Sequence, residues 1–344
     1  NDTRMSDTRS YGIYGDLTWT GLEDRLTLNA GVRYSYDEVE ASTREGIIAG
    51  GSAFFAGEES FDSITPRFSA TYELINDINV YGVISKGTKP GGPNFAGFNI
   101  GVTDSLFYDE ESLWNYELGT KGQLLDGKFS YSLSAFFIDW TDVQVDGVVF
   151  TFPGPVPNPL TQNLPSVESF GFEYEGRLEV NSYVSIETAV GYTNTEIGDF
   201  GCDFGEDQDQ VNGIVDQNGM PVPIGGNELP LAPEWTANVA LETTSPDFDF
   251  YGKQANLLFR AEYLYRDDQF EFIFNGTGPG LNVDSYDTIA LRLALETDRF
   301  RILGFVENLE GDRIIVGNRG FEAYSGIQYA LMPRTFGVRA TFDF

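Results

Sequence analysis

Apolar and polar positions alternate with a period of two along most of the chain. The closing segment is the cleanest case. Phe336, Val338, Ala340, Phe342 and Phe344 fall on one face and Thr335, Gly337, Arg339, Thr341 and Asp343 on the other, because successive side chains of a strand point to opposite sides. Twelve earlier segments repeat the pattern. Their apolar faces begin with Tyr11, Ile13, Leu17 and Trp19, then Leu26 to Tyr36, Phe68 to Leu74, and Ile78 to Ile84. They continue with Tyr116, Leu118 and Leu124, with Phe129 to Phe137, and with Phe170 to Leu178 and Val184 to Tyr192. Trp235 to Leu241, Leu257 to Tyr263, Ile289 to Leu295, and Phe300, Ile302 and Val306 complete the set.

The connections fall into two classes that alternate. Short ones stand at Gly21-Leu22-Glu23-Asp24, Asn76-Asp77, Asp126-Gly127, Asn181-Ser182, Thr297-Asp298 and, longest of them, 246–253. Long ones span 41–63, 87–113, 151–166, 198–232, 267–283 and 310–330. Short turns on one side and long loops on the other are the pattern of a transmembrane barrel. The opposite strand faces carry Arg33, Arg67, Glu73, Glu117, Lys121, Glu173, Glu175, Arg177, Glu187, Arg260, Glu262, Arg292, Glu296 and Arg339. A soluble sandwich also has a polar face, but it has no reason to ring its apolar face with Tyr, Phe and Trp near the strand ends. The fold class read from the pattern is therefore all-β, a transmembrane antiparallel up-and-down β-barrel. About thirteen strands of a larger barrel are present. Bacterial single-chain barrels have even strand numbers, and an open sheet in lipid leaves unpaired backbone groups that each cost several kcal/mol. The reading therefore expects residues 1–344 to be a partial barrel domain, completed by a part ahead of Asn1.

Composition narrows the classes. No run reaches the roughly 18 apolar residues of a spanning helix, and the mean hydropathy is -0.23, which together exclude a helical membrane protein. Aromatic residues form 15% of the chain, a share suited to strands and interfacial girdles. The net charge of -32 excludes the usual electrostatic route to nucleic acid. It also argues against direct attraction to anionic lipid; acidic loops facing a lipopolysaccharide leaflet would need divalent cations as bridges. Histidine is absent, so this chain alone builds no Ser-His or Cys-His hydrolase and no His-ligated metal or haem site. Cys202 is the single cysteine and forms no internal disulfide. The start, Asn1-Asp2-Thr3-Arg4, carries no export leader. Since a barrel must be exported, a longer polypeptide is expected.

Read in order, several segments resemble the C-terminal barrel part of a TonB-dependent outer-membrane receptor. They are Ser10 to Asp16, Leu26 to Tyr34, Tyr81 to Gly92, Asn115 to Gly122, Phe136 to Trp140, Gly226 to Trp235, Val306 to Leu309, and Pro333 to Gly337 with the terminal Phe344. Each is weak alone; the order and spacing carry the resemblance. At Pro93, relatives run Gly-Gly-Phe-Asn, so Phe95 or Phe98 takes the aromatic role. Such receptors are plugged barrels of about 22 strands. The resemblance therefore implies that the plug, the early strands and the energy-coupling box precede Asn1. It implies energised import of a scarce nutrient, foremost a ferric siderophore, across the outer membrane of a Gram-negative bacterium. The implied partners are a TonB-type energy-transducing complex acting through the missing part, outer-membrane lipid and lipopolysaccharide, and the barrel-assembly machinery, which would read Phe344. The ligand would be a small molecule such as an iron chelate; no nucleic acid is implied. The polar strand faces listed above would line the lumen or meet the plug.

Long-loop aromatics can stack on chelates and cations can pair with anionic complexes. The candidates are Lys86, Lys89, Asn94, Phe95, Phe107, Tyr108, Phe150, Phe152, Phe270, Phe272, Phe274, Arg319 and Tyr324. Charge points the other way. Asp199, Asp203, Glu206, Asp207, Asp209 and Asp216 crowd loop 198–232, and Asp109, Glu110 and Glu111 add to the rim. That field disfavours anions, within a screening length of about 8 Å. Asp207 and Asp209 near Asn212-Gly213 suggest calcium, but the spacing misses the EF-hand pattern, so no cofactor, metal or catalytic residue is assigned. Uptake of an oligosaccharide, cobalamin or an aromatic compound, and a passive porin, are the competing functions. A barrel enzyme lacks the usual general base.

Overall fold

In the computed structural model, the described residues are 3–44, 54–94, 107–151, 156–198, 224–273, 275–276, 282–319 and 327–342. Their main sheet runs through thirteen strands in chain order, every neighbour antiparallel. These are β1 (Thr3–Gly21), β2 (Leu26–Arg44), β3 (Phe54–Ile75), β4 (Ile78–Lys89), β7 (Glu111–Leu124), β8 (Phe129–Thr151) and β9 (Val156–Asn181). The path continues through β10 (Val184–Ile197), β11 (Trp235–Thr244), β13 (Lys253–Arg266), β16 (Tyr286–Thr297), β17 (Phe300–Glu307) and β20 (Thr335–Phe342). Thirteen is the number read from alternation. Three two-stranded ribbons lie in the long connections: β5 (Gly92–Pro93) with β6 (Phe107–Tyr108), β14 (Gln269–Phe270) with β15 (Asn282–Val283), and β18 (Ile315–Arg319) with β19 (Ile327–Ala330). The short β12 (Phe248–Phe250) turns through Tyr251 and Gly252, both at positive φ, onto β13.

The apolar faces point away from the protein. Leu118 is 70% exposed and Val338 78%; Leu28, Phe68, Leu133, Phe170 and Leu293 are exposed as well, and the outward row of β10 is half-buried. Buried apolar residues such as Phe61, Leu164, Ile197 and Ile224 instead lie toward the long-loop end. An inside-out wall of this kind is stable only when hydrocarbon covers its outer face. Rings gather in two belts on it. Phe129 with Tyr131, and Phe300 with Phe250 and Phe342, stand near the short turns. Trp114, Tyr116 and Phe137, and Tyr192 with Phe170 and Trp235, stand toward the long loops. On β8 the belts are eight residues apart, roughly 26 Å of strand.

The strands are tilted. One row of hydrogen-bonded partners crosses from Trp19 to Leu28, Ala70, Gly82, Leu118, Ala135, Phe172, Tyr192 and Trp235. Trp19 stands two residues from the short-turn end of β1, and Trp235 opens β11 after a long loop. The climb is about seven residues over eight strand steps, a tilt of roughly 30°, close to what closing a barrel requires. Among the described residues, β1 pairs only with β2 and β20 only with β17, so two edges stand open.

Two expected loops are mostly strand. β2 and β3 stay paired up to Arg44 and Phe54, inside the predicted loop 41–63. β8 and β9 pair up to Thr151 and Val156, which leaves only 152–155 of the predicted loop 151–166. Beyond the upper belt no lipid-facing apolar row marks the strands, but hydrogen bonding between them continues, and Val39, Ala41, Val143 and Leu164 are buried there.

Candidate ligand site and inner wall

Above the belts the extended strands and the loops form a collar, and side-chain amides hold it together. The segment Lys89-Pro90-Gly91-Gly92 and its returning strand β6 lie against the β8–β9 ribbon. Gln144 donates its side-chain N–H to the carbonyls of Pro90 and Asp109, both at 3.0 Å, and its backbone N–H to Glu111 at 2.7 Å. Asn163 accepts from the Asp109 N–H at 2.9 Å and donates to its carbonyl at 2.9 Å. Asn94 makes the same two-way bond with the Thr161 backbone, donating at 2.8 Å and accepting at 2.9 Å. Gly91 is required by close approach: a Cβ there would lie 2.0 Å from the Tyr108 carbonyl and 2.5 Å from the Phe61 ring.

A second part of the collar is apolar. Asp142, at φ 54°, interrupts the alternation of β8. Beyond it Val143 and Leu164 join Val167, Ile197, Ile224 and Ile273 in one buried cluster against Trp140 and Leu229. The Gly226-Asn227-Glu228-Leu229 segment closes this cluster. Ile197 donates to the Asn227 carbonyl at 2.8 Å, Asn227 donates its side-chain N–H to the Ile273 carbonyl at 2.9 Å, and Leu229 donates to Thr195 Oγ1 at 2.9 Å. Asn275 and Glu228 exchange two further bonds at 2.6 and 3.0 Å. Asn308 works in the same way at the exit of β17. It sits at φ 51°, donates to the Asp312 and Met332 carbonyls, and accepts from Gly311.

The collar is acidic. Burial, then the neighbouring Glu234, Asp268 and Asp267 carboxylates, raise the Glu228 pKa above its ordinary 4.5. Burial likewise raises that of Glu110, reinforced by Asp62 and Asp37 and opposed by Lys86. A carboxyl whose folded pKa is raised holds more protons folded than unfolded, so stability falls as pH rises through the window above 4.5. Glu228→Gln is therefore expected to flatten that fall and to slow amide exchange of residues 224–234 at neutral pH, measured by hydrogen exchange at pH 5 and 7.5. Faster exchange in the variant would contradict it.

The inner wall is wet and charged. Arg177, Arg260, Glu262 and Arg292 come together in one ladder through Glu187, Glu242 and Glu307. Arg260 reaches Glu187 at 2.8 Å, Glu242 at 3.5 Å and Glu262 at 3.7 Å; Arg292 reaches Glu262 at 2.8 Å and Glu307 at 2.9 Å; Arg177 pairs with Glu187. Glu242 was not singled out from sequence, although its place beside outward Leu241 marks it as inward. Tyr81 donates to Glu117 at 2.7 Å under Lys121, whose ammonium lies 6.0 Å from the ring. Gly119 makes room for that ring, since a Cβ would meet it at 2.5 Å. Arg33 donates to Ser35 at 2.9 Å. Arg67, Glu73, Glu173, Glu175 and Arg339 have no ion-paired side chain among the described residues.

The loop candidates separate into groups. Lys89, Asn94, Phe107 and Tyr108 meet at the first amide clip, where Lys89 lies 3.9 Å from Glu111 and the buried Asn94 amide is bound to Thr161. Phe270 and Phe272 flank the second part, the Phe270 carbonyl accepting from Leu231 at 2.9 Å. Lys86 pairs with Trp114 on the outward row. For Phe150 and Arg319 only the backbones, in β8 and β18, are described. Phe95, Phe152, Phe274, Tyr324, Phe344, Cys202 and the carboxylates proposed for calcium lie outside the described residues.

The model of the TonB dependent receptor-like β-barrel matches residues 1–309. The chain belongs to this family. Similar proteins include the pesticin receptor of Yersinia pestis, 29% identical over 177 residues, which are 52% of this chain and 24% of that protein. Of the solved structures, the ferric yersiniabactin uptake receptor FyuA from Yersinia pestis superposes with a TM-score of 0.75 at 21% identity, over 100% of this chain and 47% of FyuA. The copper transporter OprC superposes with a TM-score of 0.69 at 13% identity, over 98% of this chain and 49% of OprC. The TonB-dependent receptor chain thus spans less than half the length of these proteins, and the superpositions speak for the shared fold alone. With the family established, the Asn227 and Asn308 bonds give a structural reason for two of its segments: each amide ties loop to wall where the backbone would otherwise lack partners.

Proposed function

We propose that this chain is the strand wall and collar of a TonB-dependent outer-membrane transporter of a Gram-negative bacterium, importing a ferric siderophore. The observation that carries the reading is the folded collar. Loops after β10 and β13 are hydrogen-bonded to the wall and to each other above a charged inner face; an open passive pore gains nothing from that. The names of FyuA and OprC, ferric yersiniabactin uptake and copper transport, support a metal-bearing cargo. In this reading the cargo meets Lys89, Phe107, Tyr108, Phe270 and Phe272, with the remaining loop aromatics and Arg319 completing the contact. A TonB-type complex then supplies the energy for import. No residue acts as a catalyst. The acidic rim around Glu228 and Glu110 favours a second reading in which the cargo is neutral or cationic, such as an oligosaccharide, cobalamin or an aromatic compound.

The test uses a strain that depends on the full-length receptor. Growth on a ferric chelate as sole iron source is expected to fall to background when either the receptor or the energy-transducing system is deleted. Unchanged growth on every ferric chelate without the receptor removes the iron reading. Uptake that persists without the energy source gives the function to a passive porin.

A further inference from the structure

Beneath the collar the lumen face carries a recess of about 360 Å³. Two adjacent inward rows form it across β9, β10, β11 and β13. The row nearer the loops runs from Glu173 through Gly191 and Thr236 to Arg266, and the next from Glu175 through Ala189 to Asn238. Gly191 and Ala189 keep the floor low; a Cβ on Gly191 would already lie 3.0 Å from Thr236 Oγ1.

The two ends of the recess carry opposite charge. Arg266 closes β13 and is tied to the collar, its Nη2 donating at 3.0 Å to Gln269, which is buried. Of the arginines on the lumen face from β9 to β16, Arg177, Arg260 and Arg292 are held by carboxylates. Arg266 makes no ion pair among the described residues, and its Nε is buried without a hydrogen-bond partner. The carboxylates toward the loops, Glu234, Asp267, Asp268 and Asp284, do not reach it. At the other end Glu173 and Glu175 are exposed and unpaired among the described residues. Of the cations near them, Arg177 is held by Glu179 and Glu187, and Lys121, two strands along the Glu175 row, lies over Tyr81.

An anionic group at Arg266 would face two carboxylates across the recess, and a cationic group at those carboxylates would face the guanidinium. A ligand that carries both charges satisfies each end, with the Thr236 hydroxyl and the Asn238 amide between them. Glu173 and Arg266 are three strand steps apart, roughly 14 Å, and the long arginine side chain shortens that gap toward the span of about 10 Å of three extended residues. We propose that the recess binds a zwitterionic part of the cargo, with its carboxylate on Arg266 and its ammonium on Glu173 and Glu175. The cargo is then a chelate built from amino acids, with both termini free. This inference deepens the transport reading and rests on it.

The full-length receptor in detergent is titrated calorimetrically with triglycine and with the same peptide capped at either end. The wild type is expected to bind triglycine at millimolar concentration. Amidating the carboxylate should weaken binding about tenfold, and so should acetylating the amine, each cap removing one charge-assisted contact. In Arg266→Gln the effect of amidation should vanish while that of acetylation stays. In Glu173→Gln combined with Glu175→Gln the reverse is expected. Arg301→Gln, on the lumen face near the short turns, should match the wild type. Ala189→Leu keeps every charge but fills the floor, and should abolish binding; it carries the expectation should the charge variants not accumulate. A wild type that does not bind triglycine, capping effects that persist in the charge variants, or unchanged binding by Ala189→Leu overturns the proposal. Receptor-dependent growth on a ferric chelate without triglycine binding removes this site and keeps the transport reading. Triglycine binding by a receptor whose deletion leaves growth unchanged removes the iron reading instead.

Discussion

Arginine in place of Leu133 is expected to destabilise the folded barrel by about 2–4 kcal/mol, whereas arginine at the preceding Ser132 should change stability by less than about 0.5 kcal/mol. The two residues are neighbours on β8, midway between the belt residues Phe129 and Phe137. Leu133 points outward, 42% exposed on the bare protein, and would carry its charge into hydrocarbon. Ser132 points inward between Lys121 and Glu175, where water and an unpaired carboxylate receive a guanidinium. Urea unfolding of the full-length receptor in lipid vesicles, followed by tryptophan fluorescence, measures both. Equal effects at the two positions would mean that the wall does not separate oil from water.

Removing Arg260 should be the most damaging change on the inner face, with a loss of about 1–3 kcal/mol for Arg260→Ala. Its guanidinium is held by Glu187, Glu242 and Glu262, and its side chain is 23% exposed. Truncation leaves Glu242 without an ion pair among the described residues and brings it near Glu187 and Glu262, which Arg177 and Arg292 still hold; those remaining pairs and the wet lumen keep the loss below that of a fully buried pair. Arg260→Lys should recover only part, because a point charge cannot hold three carboxylates as a planar fork does. Adding Glu187→Gln to Arg260→Ala should cost less than the two single changes summed. The readout is the unfolding midpoint at low and high salt. A loss under about 0.5 kcal/mol would reduce the ladder to ordinary surface pairs.

These two experiments probe different levels of legibility. The direction of Leu133 can be read from five alternating residues, and so can that of Ser132. The partner of Arg260 cannot: Glu187 is 73 residues earlier, and the pairing exists only because β10, β11 and β13 lie side by side in a particular register. The candidate site was legible to the same limited degree. Lys89, Phe107 and Tyr108 do lie together, yet Gln144 and Asn163, which hold their loop in place, sit in polar sequence that carries no pattern. Lys86 and Lys89 look equivalent in sequence. Their three-residue separation puts one on the lipid side and the other on the lumen side. Asn94 looked like a ligand contact, and its amide is bound to the Thr161 backbone.

The sequence by itself determined the thirteen strands, the two faces of each, the alternation of short and long connections, and the segments that mark the receptor family. All of these follow from local regularities, because a strand between oil and water must alternate and a tight turn must use residues that tolerate positive φ. Only the tertiary structure decided how far β2, β3, β8 and β9 rise above the membrane, how the wall tilts, and which loops fold inward. It also decided which lumen charges find partners. Above the belt no lipid-facing row marks the strands, and Val143 and Leu164 are buried against Ile224 and Ile273 of loops distant in sequence, so cross-strand hydrogen bonds and loop packing shape the chain there. Ion-pair and clip partners depend on register between residues far apart in sequence, a quantity that no stretch of local pattern contains.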